Sequence, residues 1–366
     1  MEHPRIKLKR KTKLVIREVI FIIVSFTLLM YFYYFITWWG LKPYLKPNLF
    51  GGYMESGYAF LEIGIQGVVF GLLFALINIM LDRTRLRRKS FGTIILIKSI
   101  LYFIAVSVSQ LAVFAVYHVF SIFPVDVNSV QADLYPSATI SMLVYFTFVI
   151  LLISFLQQIN KKFGNGILLS MITGKYYRPR KERRIFMFLD MKDSTGIAER
   201  LGHVEYSRLI QRCIHELSDL ITRYKAQVYQ YVGDEVVLTW PTDVGLKDMN
   251  CINLYFAFRQ VLEDRREYYE KNYNTLPEFK AGIAEGIITV TEVGEIKREL
   301  AYHGDVLHTA ARLEKMCNKL ENNVLVTEKM ISLLDRKNGY EMKLLGEFKL
   351  RGKEGLDKVY GVKLNM

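Results

Sequence analysis

Long apolar runs dominate the first 160 residues, at 19–39, 58–81, 99–119 and 138–156. Each is close to the ~20 residues a helix needs to cross ~30 Å of hydrocarbon, so four transmembrane helices are predicted within a membrane domain over 1–160. The first run ends in "YFYYFITWWG", which has no small-residue cleavage site. It is therefore expected to remain as an anchor, with Tyr31, Tyr33, Tyr34, Trp38 and Trp39 as an interfacial aromatic belt. A basic linker follows over 161–183. From Arg184 onward, short β-rich apolar runs alternate with amphipathic stretches, which predicts an α/β or α+β domain over 184–366.

Within that domain, "RRIFMFLDMKDSTGIAERLG" reads as a buried strand over Ile185 to Leu189 that ends at Asp190 and turns into a helix. Ser194 or Thr195 could cap that helix, and its first amides would suit a phosphate. "VYQYVGDEVVLTW" reads as a hairpin closed by a two-residue loop, with Gly233 supplying positive φ and Asp234 at the tip. A strand pair through "FKAGIAEGIITVTEVG" and "IKRELAYHG" precedes a helix, "DVLHTAARLEKMCNKL".

Charge changes the picture in the membrane half. The net formal charge is +13, and the basic residues crowd beside the apolar runs in "RIKLKRKTK", "DRTRLRRKS", "NKKFGNG" and "YYRPRKERR". The loop "SIFPVDVNSVQADLYP" carries no Lys or Arg. By the positive-inside rule both termini and the C-terminal domain are expected on the cytoplasmic side of the cell (inner) membrane. The basic segments are read as lying against anionic lipid rather than nucleic acid. Cys213, Cys251 and Cys317 have no metal-ligand spacing and are expected as free thiols. Glu62 and Lys98 fall in or beside membrane runs, where they read either as a sensing pair or as side chains snorkelling to opposite faces.

The candidate chemistry rests on strand-end carboxylates. Asp190 and Asp234 each stand beside a turn, and two carboxylates plus substrate oxygens suit Mg²⁺ or Mn²⁺ shared with a nucleotide's phosphates. The alternative is that Asp190 caps a helix and Asp234 solvates a turn. His308 and Arg312 lie i and i+4 on one helix face, where Arg312 would suit charge developing on a transferring phosphoryl group. The alternative there is a surface salt bridge from Arg312 to Glu299 or Glu314.

Taken in order, "FLDMKDST", "YVGDEVVL", "GIAEG" and "HGDVLHTAARLE" resemble the catalytic domain of class III nucleotidyl cyclases, over roughly Arg184 to Met366. The resemblance implies a ferredoxin-like α+β fold and conversion of ATP to 3′,5′-cyclic AMP and pyrophosphate. It implies two Mg²⁺ or Mn²⁺ ions per site on Asp190, Asp234 and the Met191 carbonyl. Phosphate contacts would come from Ser194, Thr195 and Lys353, transition-state stabilisation from Arg312, and ribose positioning from His308. It further implies a homodimer, with the aspartates of one chain facing the Arg and Lys of the other.

Gln230 and Ala301 occupy the family's base-reading positions, where adenylyl cyclases usually carry Lys with Asp, Thr or Cys. His308 replaces an Asn. A Gln amide both donates and accepts and so serves either purine, which leaves guanylate and pyrimidine cyclases as alternatives. "YVGDEVV" also looks like the diguanylate cyclase signature, although that family has no use for the helix after Gly304. A silent nucleotide-binding receptor is the remaining alternative, and the intact Asp190, Asp234 and Arg312 speak against it.

Overall fold

The computed structural model describes residues 4–41, 57–82, 91–120, 134–163, 167–334, 339–348 and 356–365. They divide into two units, Met1–Lys162 and Phe163–Met366.

The first unit is helical: α1 (Pro4–Leu41), α2 (Gly57–Asp82), α3 (Phe91–Phe120) and α4 (Leu134–Phe163). Aromatic side chains fill its interior, with Phe26, Phe70, Phe74, Tyr102 and Phe146 buried and the Phe74 and Tyr102 rings stacked at 3.4 Å. α1 and α2 meet where α2 has no side chains: a Cβ on Gly67 would stand 2.7 Å from the Thr27 Cα, and one on Gly71 2.5 Å from the Ile23 Cα. Phe21, Leu28 and Phe35 of α1 and Leu61, Ile65 and Met80 of α2 point outward instead. An apolar exterior of that extent suits helices that lie in a membrane.

Among the described residues three helical segments are long and apolar enough to span a membrane: Val19–Gly40, Phe60–Leu81 and Gly92–Ser109. The expected fourth span falls in α4, where Val144–Leu156 is apolar among the described residues and precedes the polar "QQINKK". Lys98 does not snorkel. It is buried and donates to Asn78 Oδ1 at 2.7 Å, while Glu62 accepts from Gln66 at 2.9 Å. An inward lysine inside an apolar bundle has its cost lowered by such a hydrogen bond.

The second unit begins with a short helix, α5 (Ile167–Ile172), and continues β1 (Arg180–Met191), α6 (Ser194–Arg223), β2 (Gln227–Val232), β3 (Glu235–Pro241), α7 (Thr242–Leu246), α8 (Asn250–Glu263), α9 (Arg266–Tyr273) and β4 (Phe279–Val293). It closes with β5 (Glu299–His303), α10 (Asp305–Met316), β6 (Val324–Thr327), α11 (Glu328–Ser332), β7 (Tyr340–Phe348) and β8 (Asp357–Leu364). The eight strands form one sheet in the order β2-β3-β1-β4-β6-β8-β7, with β5 paired to β4. Its first four strands, antiparallel in the order 2-3-1-4 with α6 and α8 in the crossovers, make the ferredoxin-like βαββαβ arrangement.

Alternation along β1 separates two cores. Ile185, Met187, Leu189 and Met191 pack with α6 and α8, and Phe186 packs on the opposite face with α10. Small residues on β4 let α10 come close. A Cβ on Gly282 would stand 2.1 Å from the Ala310 carbonyl oxygen and 2.3 Å from the Glu314 amide nitrogen. α6 is continuous except at Gly202, whose φ of 73° and ψ of 160° break the helix.

Candidate active site

β2 and β3 are joined by Gly233 and Asp234, with Gly233 at φ 61°. β1 runs antiparallel to β3 with Leu189 opposite Val236. The chain therefore delivers Asp190 to the end of a central strand beside the hairpin tip. The two carboxylates feel each other. Burial first, then the charges of Asp234 and Glu314, push the Asp190 carboxyl up to about 6, against the opposing pull of Lys280. Asp234 Oδ2 is shielded from solvent and accepts no hydrogen bond among the described residues.

Three further residues complete this corner, and sequence reasoning missed all of them. Lys280, the register partner of Asp190 on β4, places its Nζ 3.3 Å from Asp190 Oδ2 and 2.6 Å from Glu314 Oε1. Burial pulls its ammonium down, but the hydrogen bond and charge of Glu314, together with Asp190, hold it above the ordinary lysine value. Glu314 is only 2% exposed. Tyr206 on α6 faces Ser194 and Asp234, and burial, then the Asp234 charge, push its hydroxyl up to about 12. Lys280 carried a weak signal, a charge inside the otherwise apolar "FKAGIA". Tyr206 carried none.

Met191 is buried at the last position of β1, so its carbonyl stands next to Asp190 along the chain. Ser194 and Thr195 lie in the first turn of α6 rather than at its cap. Asp193 takes the cap position in the left-handed region at φ 50°, with no side-chain capping bond. α6 thus leaves first-turn amides beside the carboxylates, a setting that favours anions.

Arg312 is half-buried and His308 exposed on α10. The expected salt-bridge alternative for Arg312 is not realised, because Glu299 pairs with Lys297 and Glu314 with Lys280. Gln230 follows an irregularity in β2 and is exposed, and Ala301 on β5 is half-buried. Their neighbours Tyr229 and Tyr302 meet edge to face with centroids 4.8 Å apart, over the sheet face that also carries Phe186. Lys353 lies outside the described residues.

The donor set fits a hard divalent cation. Two neighbouring carboxylates, one with a solvent-shielded oxygen lacking a partner, are costly without positive charge, and Mg²⁺ needs only one or two protein carboxylates beside substrate oxygens. No group of three or more His, Cys, Asp or Glu arranged to hold a metal occurs among the described residues. A full protein cage is thus not what this corner provides.

The model of the adenylate and guanylate cyclase catalytic domain matches residues 176–363, just over half of the chain. "Adenylate cyclase 2" of Rhizobium meliloti (strain 1021) is 29% identical over 298 residues, covering 79% of this chain and 81% of that protein. An adenylate cyclase of Anabaena cylindrica is 23% identical over 189 residues, 50% of this chain and only 37% of that protein. Two solved structures of a bacterial light-regulated adenylyl cyclase share the fold. One gives a TM-score of 0.51 at 19% identity over 65% of this chain and 67% of that one; the other gives 0.50 at 20% identity over 63% and 65%. The motifs, the sheet order and the family match agree, and the chain belongs to the adenylate and guanylate cyclase family.

Proposed function

We propose that the protein is a membrane-anchored adenylate cyclase that converts ATP to 3′,5′-cyclic AMP and pyrophosphate. The observation that carries this reading is the meeting of Asp190 and Asp234 at one strand end, with an unpartnered Asp234 oxygen beside the first turn of α6. The similarity to adenylate cyclases over most of the chain supports ATP as the substrate.

In this reading Asp190, Asp234 and the Met191 carbonyl hold two Mg²⁺ or Mn²⁺ ions. Those ions supply Lewis acidity at the α-phosphate and lower the pKa of the ribose 3′-hydroxyl. The α6 amides around Ser194 and Thr195, with Lys353, receive the phosphates. Arg312, with no acidic partner among the described residues, is available for charge that develops as the 3′-oxygen attacks the α-phosphorus and pyrophosphate leaves. His308, one turn earlier on α10, positions the ribose. Gln230 and Ala301 face the base, and because Ala301 offers no polar side chain, GTP or a pyrimidine nucleotide is the second reading.

The site is shared in a homodimer, with Asp190 and Asp234 from one chain and Arg312 from the other. Residues 1–160 anchor the enzyme through four spans in the inner membrane, 161–183 link, and 184–366 catalyse on the cytoplasmic side. The expected outcome is that Asp234→Ala and Arg312→Ala proteins are each inactive, yet regain partial activity when co-expressed, because one of the two sites in the heterodimer is intact. Wild-type turnover from either single variant, or no recovery in demonstrated heterodimers, would contradict the shared site.

A further inference from the structure

The acidic corner holds more negative charge than the two aspartates supply. Glu314 and Glu235 stand beside them, and burial, then the Glu314 charge, raise the Glu235 carboxyl. The cations facing this group are Lys280 from β4 and Lys315 from α10, and they differ in setting: Lys280 is buried and Lys315 exposed. Lys280 reaches two of the four acids at once. Its arm to Glu314 is the short one, 2.6 Å, and its arm to Asp190 the long one, 3.3 Å.

We propose that Lys280 is a positioning residue, an internal counter-cation that holds the Asp190 carboxylate in the metal-free site and gives it up when a divalent ion binds, while remaining anchored on Glu314. This rests on the reading of Asp190 and Asp234 as metal ligands. Four features of the site carry it. Lys280 is the cross-strand partner of Asp190, so the two side chains leave the sheet on one face. It is buried, so its charge acts at close range with little screening. It contacts the same carboxylate that a metal would need, through the longer and weaker of its two arms. Its stronger partner, Glu314, lies two residues beyond Arg312 on α10, and Gly282, two residues along β4, is where that helix approaches the strand most closely.

A divalent ion and the Lys280 ammonium compete for Asp190 Oδ2. Whatever frees Lys280 from Asp190 should favour the ion, and whatever throws Lys280 more fully onto Asp190 should oppose it. This opposition separates positioning from general damage to the fold. In Lys280→Met the competing charge is removed, and the metal should bind more tightly although the corner loses its buried cation. In Glu314→Gln the anchor is weakened, Lys280 turns its full charge to Asp190, and the metal should bind more weakly. Lys280→Arg retains the charge and should stay near wild type.

The test is Mn²⁺ alone, titrated into the full-length detergent-solubilised protein and followed by electron paramagnetic resonance of the free ion. The steady-state rate with ATP is measured beside it. The expected result is a Mn²⁺ dissociation constant lowered by about tenfold in Lys280→Met and raised by a similar factor in Glu314→Gln, on the scale expected for one unit charge beside a divalent ion in a partly buried site. The Mn²⁺ concentration that gives half-maximal rate with ATP should shift in the same direction as the dissociation constant in each variant. Asp190→Asn serves as the reference. Unchanged Mn²⁺ binding in Asp190→Asn overturns the metal site itself. Weakened binding in Asp190→Asn, with Lys280→Met and Glu314→Gln shifting in the same direction or not at all, overturns the role of Lys280 alone.

Discussion

Replacing Gly282 by alanine adds one methyl group at the point where β4 and α10 nearly touch. The new Cβ would lie 2.1 Å from the Ala310 carbonyl oxygen, 2.3 Å from the Glu314 amide nitrogen and 2.9 Å from the Leu313 Cβ. Two of these neighbours are backbone, so no side-chain rotation relieves the clash. α10 must back away by about 1 Å to restore an ordinary contact, and overpacking of this kind costs about 1–3 kcal/mol. For a unit of this size that lowers the melting temperature by roughly 2–4 °C per kcal/mol. The effect on turnover should be larger than stability alone implies, because Arg312 and His308 ride on α10 and a displacement of about 1 Å can cost about 10²-fold in rate. The assay is kcat at saturating ATP and Mn²⁺ on purified protein, well below the melting transition, with circular dichroism to confirm that the protein is folded. A wild-type melting temperature together with wild-type kcat would refute both the close packing of α10 on β4 and the role given to its position.

Two further outcomes test the site. In metal-free protein the Asp190 carboxyl titrates near 6 rather than at its ordinary 3.8, so its contribution to stability is fully present below the lower value and is lost as pH rises through the upper one. Asp190→Asn should therefore flatten the fall in melting temperature between about pH 4 and about pH 6 in the presence of a chelator, and an unchanged slope would count against the assignment. Because Gln230 can pair with either purine and Ala301 offers no polar side chain, ATP should be preferred over GTP only modestly, about tenfold in kcat/KM for each ~1.4 kcal/mol, and Gln230→Lys with Ala301→Asp should sharpen the preference. Rejection of GTP by several orders of magnitude in the wild type would show that another group reads the base.

Where local chemistry alone decides structure, the sequence was a sufficient guide. The hairpin at Gly233 and Asp234 was legible because a positive-φ residue and an acid interrupt two β-rich runs. The helical spacing of Leu307, Ala310, Ala311 and Leu313 announced α10, which buries Ala310 and Leu313 but leaves Leu307 and Ala311 half-buried and turns Val306 inward instead. What required the fold was anything set by register. Lys280 becomes the partner of Asp190 only because β1 and β4 pair as they do, and the fold pairs Glu314 with Lys280 and Glu299 with Lys297 rather than either with Arg312. The helix after Asp190 was legible, but its cap was not, since the left-handed turn at Asp193 displaces Ser194 and Thr195 into the first turn. In the membrane unit, composition revealed apolar helices yet could not tell that Lys98 turns inward to Asn78 rather than out to the interface.

The central claim, cyclisation of ATP at Asp190 and Asp234, is tested most directly by product identification. The detergent-solubilised protein is incubated with each of the four nucleoside triphosphates and Mn²⁺, and the products are resolved by mass spectrometry beside the Asp190→Ala and Asp234→Ala variants. The expected result is 3′,5′-cyclic AMP and an equivalent of pyrophosphate from ATP with the wild type, and neither product with the variants. No cyclic nucleotide from any triphosphate, a cyclic dinucleotide from GTP, or cyclic AMP still formed by both variants would contradict it.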